Sequence, residues 1–330
     1  MEIKDLTGLS KPLKKLIEVV SQGIGALSKP YLIKKTADAK AYEIKVIAEA
    51  IKDNQQDLMK IGFDDEKLSL MSIDEKTLQS ELSLEQRTQN RIEFKEQKRQ
   101  KNIENITQKA AQNLESEQKV SEEPVDDDWT TRFFDYAEDI SDEEMQDLWA
   151  RILAGEVKKP KSYSLRTLEL LRNLTKEEAQ VFSKAANYVL SSWNSPFLFK
   201  GKKEEFLADF RLTFEDRLLL TELGIIQPES NISRRLPKSN GDSITIFESG
   251  QYLIKVNKKA NTPEHRIPIF RFSKIGIELL ELITPTPIEA YIKEFSKSLE
   301  DANMDVEYAY IIRKLDNGQF KHTQPWMKFK

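Results

Sequence analysis

The stretch that most constrains the fold is DLWARILAGEVKKP, Asp147 to Pro160, read with the residues before it. Ser141 and Glu144 form the S-x-x-E pattern of a capping box, in which a hydroxyl and a carboxylate satisfy the first free amides of a helix. Met145, Leu148, Trp149, Ile152 and Leu153 come next, at a spacing that gathers them on one side of that helix. Gly155 is expected to stop it, and Pro160 forbids its continuation. Leu165, Leu168, Leu171 and Leu174 begin the next helix. Thr175 and Glu178 form a second capping box, succeeded at helical spacing by Ala179, Phe182, Ala186 and Val189. Stripes this apolar must be buried, so residues 129–200 are expected to be a packed helical domain. No base, nucleophile and orienting group meet there, so Arg151 and Glu156 read as ion-pair partners.

The N-terminal side predicts more helix. From Gly8 to Pro30, Ser10 suits an N-cap and Pro12 the first turn. Leu13, Leu16, Ile17, Val20, Ile24 and Leu27 then form one apolar stripe beside a lysine-rich start. Gly23 and Gly25 weaken the last turns, by about 1 kcal/mol each relative to alanine. That face suits a membrane interface, the protein's own core or a partner chain. Ala37, Ala41, Ile44, Ala48 and Ile51 mark a second helix with a narrow stripe of small residues, which suits a hairpin or an oligomeric seam. Leu84 to Leu114 reads as a long polar helix with sparse apolar positions at Ile92, Ile103, Ile106, Ala110 and Leu114. Such a helix needs a packing partner. Its Lys95, Lys98, Arg99 and Lys101 cluster reads as a solvated face tempered by neighbouring glutamates. Residues 115–128 are acidic and carry Pro124, as a linker does, and Asp126, Asp127 and Asp128 stand where the N-terminus of the next helix is expected.

Several function classes are unsupported. The chain has no cysteine and two histidines, His265 and His322, far apart in sequence. Thiol chemistry, zinc ribbons and histidine-rich metal sites are excluded, and no P-loop or dinucleotide-binding glycine pattern occurs. No catalytic residue, metal or cofactor is expected. A net charge of −4 gives no bulk signal for nucleic acid. With 39% hydrophobic and 32% charged residues, the chain is more polar than a compact enzyme of this size. No apolar run approaches the roughly 20 residues of a membrane span, and the first residues lack a signal-peptide order. The cytoplasm is the expected compartment, peripheral to the inner membrane if the first helix meets lipid.

The C-terminal third predicts a helix from Thr213 to Leu223, then strands at Ser243–Ser249 and Gln251–Val256 around Gly250. Arg266 to Ile283 passes from alternation to a helix. A further helix comes after Pro287, then a strand in VEYAYIIRKL. This order resembles a winged helix, a fold that binds DNA or proteins. The candidate recognition helix carries Glu215, Asp216 and Glu222 against Arg217, a poor surface for phosphate. Arg234, Arg235 and Lys238 in the following loop are the better candidates for nucleic-acid contact. Trp326 in the tail is expected to pack on its own domain.

Certain motifs carry a resemblance. Asp128-Trp129, Arg132-Phe133-Phe134, Ala137 to Met145, Leu148 to Glu156, Pro160 and Ser164 to Glu169 resemble an uncharacterised bacterial domain-of-unknown-function family, as does the N-terminal run from Gly8. The Leu148–Ala150 helix, with a proline and a leucine helix after it, is similar to the abortive-infection alpha proteins. That likeness implies phage-defence biology and carries no reaction or functional residue with it.

The expected fold is mainly α within an α+β protein: an amphipathic helical arm (1–62), a region with the long polar helix (63–114), an acidic linker (115–128), a helical domain (129–200) and a winged-helix-like domain (201–330). The expected function is a non-enzymatic defence or stress effector acting as a homo-oligomer, with a membrane surface as a further partner. The alternative is a nucleic-acid-binding winged-helix regulator.

Overall fold

The computed structural model describes residues 10–24, 83–203, 205–228, 232–315 and 318–329. The stripe at Ala37, Ala41, Ile44, Ala48 and Ile51 lies outside them, as do Leu27 and Pro30. The chain divides into two compact units between Ser162 and Tyr163.

The described part of the first unit is helical: α1 (Lys11–Ile24), α2 (Leu84–Leu114), α3 (Asp127–Ala137) and α4 (Glu143–Lys158). Its centre is aromatic. Trp129 stacks on Phe133, which meets Phe134 edge-on and tilts against Trp149. Leu16 and Val20 of α1, Ile106 and Leu114 of α2, and Ile152 and Leu153 of α4 are buried with them. Gly23 is more than a weak helix former. A Cβ there would meet the Phe134 ring at 2.2 Å, so its lack of a side chain lets α1 lie against α3. The second half of α2 is buried, while from Leu84 to Lys101 no residue is.

Two expectations are corrected in this unit. The N-cap of α4 is Asp142, which accepts the Met145 amide at 3.0 Å, and the Ser141 hydroxyl instead receives Asn102. The helix also runs past Gly155 to Lys158, because Glu156 and Val157 are buried and only Pro160 ends it. Glu156 accepts the Lys161 amide at 2.5 Å and fixes the chain where it leaves α4 in a left-handed conformation (Lys161 φ 69°). Residues 115–128 belong to this unit and are tied down. Val125 is buried and Asp126 caps α3. The Ser121 amide donates to Lys158, and the buried Lys15 amine donates to the Ser121 and Glu123 carbonyls at 2.8 and 2.7 Å.

The second unit begins with α5 (Leu165–Asn173) and α6 (Lys176–Ala186), whose Thr175–Glu178 capping box is formed as expected. The helical pattern then breaks. Val189 opens β1 (Val189–Ser192), paired with β2 (Ser195–Phe199), where a continued helix was expected. Val189, Phe197 and Phe199 suit a pleated buried surface better than a helix, and pairing to other strands decides the outcome. After α7 (Phe206–Asp209) and α8 (Phe214–Glu222) come β3 (Ser233–Leu236), β4 (Ser243–Ser249), β5 (Tyr252–Lys258), β6 (His265–Arg271), α9 (Lys274–Leu280), α10 (Glu289–Glu300), β7 (Asp305–Lys314) and β8 (Phe320–His322).

All eight strands form one antiparallel sheet in the order β3-β6-β2-β1-β4-β5-β7-β8. The β4–β5 hairpin turns at Gly250, as expected, but it is the middle of a wide sheet. That sheet rolls. Lys258, at the end of β5, donates to the Leu236 and Pro237 carbonyls at the end of β3, at 3.0 and 2.6 Å. In a flat sheet those strands would stand about 24 Å apart, beyond a lysine's reach. The face bearing Lys258 is therefore concave. Phe197, Phe199 and Phe247 line it, and Tyr291 and Phe295 of α10 pack onto them. Leu198 and Phe270 point to the other face, where Arg217 of α8 lies over Phe270. The tail packs on its own unit: Trp326 covers the Lys255 amine and meets His322, and Phe329 stacks on Tyr308.

Candidate nucleic-acid interface

The site is built at one end of the rolled sheet, around the β1–β2 turn. Ser192 and Ser195 pair, leaving Trp193 and Asn194 as a two-residue loop with φ of 55° and 54°. Both are positive, as a two-residue hairpin turn of the I′ kind requires; such a turn matches the twist of the strands but demands left-handed residues. Ser192 and Leu190 alternate onto the concave face beside Phe197. Ser192 is 1% exposed, and its hydroxyl has no hydrogen-bond partner among the described residues.

Two arginines reach this end. Arg234 of β3 spans the concave face, donates from Nη2 to the Ser192 carbonyl at 3.0 Å and lies 5.7 Å from the Phe197 ring centre. Burial pulls its guanidinium below the usual value, and no carboxylate pairs with it among the described residues. Arg271 is the register partner of Phe197 and stands on the same face, exposed at its margin. It too forms no ion pair among the described residues. A half-buried cation without a counter-charge is costly, and an anionic ligand removes that cost.

Charge is concentrated in these strands. From Arg234 to Lys274 there are nine Lys and Arg against three Asp and Glu. Residues 163–330 carry 25 against 22, whereas residues 1–162 carry 26 against 33, so the second unit is net basic within an acidic chain. Lys259, Arg266, Lys274 and Lys255 are held by Asp242, Glu264, Glu278 and Glu307. Arg234, Lys238 and Arg271 have no such partner among the described residues. Burial, with Lys202 and Lys258 nearby, holds His265 below its ordinary value, so it adds no charge at neutral pH.

The three residues expected to contact nucleic acid do not form one surface. Arg234 and Arg235 were expected in a loop, but pairing with β6 makes them successive residues of β3, so they face opposite sides of the sheet. Arg235 is exposed near Glu264, and Lys238 is exposed in the loop before β4. Ser192, Trp193 and Arg271 were not expected. The Ser, Asn and Pro residues of SSWNSP, 191–196, are the turn signal a closer reading would have used. The helix Thr213–Leu223 forms as α8, but Arg217 is buried, with Nη1 on the Leu212 carbonyl, so the helix offers no exposed cation.

The apolar stripe of α1 is occupied. Leu16, Ile17 and Val20 are buried in the first unit, and Leu13 and Ile24 are half-buried. In the basic cluster of α2, Arg99 is bound by Glu96, Glu138 and Asp139, while Lys95 and Lys98 are exposed. Among the described residues no helix is long and apolar enough to cross a membrane, and no acidic or histidine cluster suits a metal ion.

No curated protein and no solved structure matches the chain. One family does, over residues 86–296, a span that covers more than half the chain and the Arg234–Ser192 end of the sheet. Its members are described as a protein of unknown function (DUF2806), and this chain belongs to that family.

Proposed function

We propose that this protein is a non-enzymatic nucleic-acid-binding protein whose second unit holds the phosphate backbone. The observation that carries the reading is Arg234, half-buried on the concave face against Ser192, with no carboxylate partner among the described residues. Arg271 and the exposed Lys238 extend the basic surface, and the excess of positive charge from Arg234 to Lys274 supplies the field that attracts a polyanion. The absence of an exposed cation on α8 argues for sheet-based contact rather than a winged-helix recognition helix in the major groove. The test is fluorescence anisotropy with mixed-sequence oligonucleotides over a salt series. Arg271→Ala and Lys238→Ala should each weaken binding of every sequence alike and flatten the log–log salt slope by about 0.7 to 0.9. A wild-type chain with no salt-dependent binding sinks the proposal.

A second reading is a defence or stress effector that works by oligomeric assembly, the biology implied by the likeness to abortive-infection alpha proteins. One observation favours it. The first half of α2 exposes Leu84, Ile92 and Phe94, at 66%, 45% and 72%. Large apolar residues exposed on an otherwise polar helix suit a second chain. Sedimentation of the wild type and of an Ile92→Glu, Phe94→Glu variant tests it: a wild type that is monomeric at tens of micromolar excludes assembly through this helix.

A further inference from the structure

The Trp193 turn has a cost that the fold does not repay. A type I′ turn favours Asn-Gly, because both central residues sit at positive φ. Asn194 tolerates that region, but a tryptophan there is strained. Burial would normally offset this, yet Trp193 is 84% exposed, the most exposed of the large apolar residues described. The indole therefore contributes nothing to the core while the backbone is bent to hold it out. Its neighbour Ser192 presents a buried hydroxyl without a partner among the described residues and a carbonyl already engaged by Arg234. Phe197 lies two residues beyond Ser195 on β2, and Arg271 stands opposite it on the next strand, β6.

An exposed flat ring whose neighbouring carbonyl is held by one unpaired arginine, with a second arginine on the same face of the sheet, matches the parts of a nucleotide: a base to stack and a phosphate to hold. We infer that Trp193 is a stacking platform for an unpaired base, and that the nucleic acid held by the second unit is single-stranded. The inference rests on the nucleic-acid reading above and narrows it. A duplex hides its base faces, and reading one in the groove needs a basic element, whereas Arg217 of α8 is buried. A protein partner would also accept a tryptophan, but it gives no reason for an uncompensated Arg234 beside it.

The experiment uses the full chain, a labelled oligothymidine of about 12 nucleotides and a duplex of the same length. The wild type should prefer the single strand, and Trp193→Ala should weaken that binding about tenfold or more while leaving the weaker duplex binding unchanged. Trp193→Phe, which keeps a ring, should retain most of it. Trp193→Gly, which suits the positive φ, should fold at least as stably as the wild type and still lose single-strand affinity, separating the ring's role from the turn's. Equal single-strand affinity for wild type and Trp193→Ala overturns the inference, as does a wild type that prefers the duplex; in both cases salt-dependent binding would leave the broader reading standing. Binding of neither probe overturns both.

Discussion

The carboxylate of Glu278 caps a helix that lies 114 residues earlier in the chain. Its Oε2 accepts the Ser164 amide at 2.7 Å and the Ser164 and Thr167 hydroxyls, while Ser164 makes no side-chain cap of its own. The first turn of α5 is thus closed by a residue of α9. Glu278→Ala should cost about 2 kcal/mol, since it leaves buried donors without an acceptor. Urea denaturation followed by circular dichroism measures this. A loss below 0.5 kcal/mol, roughly that of an ordinary surface change, would refute the cap.

Tyr291 predicts alkaline instability. Its hydroxyl accepts the Phe199 amide at 2.6 Å and donates to the Phe199 carbonyl at 3.2 Å, and burial raises its pKa far above the usual range. Burial also raises Tyr188, Tyr252 and Tyr308. For each, the folded state keeps a proton that the unfolded state releases near pH 10. Their contribution is complete below pH 10 and is lost as pH climbs beyond it. Urea midpoints at pH 8 and 10.5 should fall for the wild type. Tyr291→Phe should start about 1–3 kcal/mol less stable, with Phe199 left unpaired, and then lose less on raising the pH. Identical pH losses for the two proteins would contradict the assignment.

Two glycines should respond in opposite directions to alanine. At Gly276 in α9 a Cβ would meet the Ile225 carbonyl oxygen at 2.2 Å, and that atom is backbone. Helix propensity favours alanine by about 1 kcal/mol, but the clash costs about 1–3 kcal/mol or more and should win. At Gly241 a Cβ meets nothing within 4 Å and φ is not left-handed, so Gly241→Ala should be neutral or stabilise by up to about 1 kcal/mol. Thermal denaturation of the two variants side by side decides the matter.

Lys15 should govern the segment 115–128. Its amine is the shared donor to two carbonyls of that segment, and burial lowers its pKa. Lys15→Met keeps most of the packing and removes the donor. Limited proteolysis should then cut between Glu115 and Pro124 at least several-fold faster. Unchanged cleavage would show that Val125 and Asp126 hold the segment unaided.

Much of the helical order was legible in the chain because it is local. The α2 start, the Thr175–Glu178 box, α8, α9 and α10 arise from caps and spacing within a turn or two, as does the Gly250 hairpin. Legibility failed where a distant partner decides. Val189 sits in a helical period yet enters a strand, because β2 and β4 supply the hydrogen bonds of β1. The segment 115–128 is acidic enough to be a linker, yet an amine from α1 fastens it. Gly155 reads as a stop, yet burial of Val157 carries the helix another turn.

The site divides the same way. Arg234 could be picked out from the sequence as a cation in a basic run, but it and Arg235 were expected in a loop, and the pairing of β3 with β6 is what turns them to opposite faces. The sequence by itself determined most of the capped helices, the β4–β5 hairpin and the positive charge between Arg234 and Lys274, because those depend on residues close along the chain. Only the tertiary structure decided that the sheet rolls, bringing Arg234 across to Ser192 and beside Arg271, and that the α1 stripe is spent on the first unit's own core. Strand order and burial arise from contacts between residues tens of positions apart, and local spacing carries no record of them.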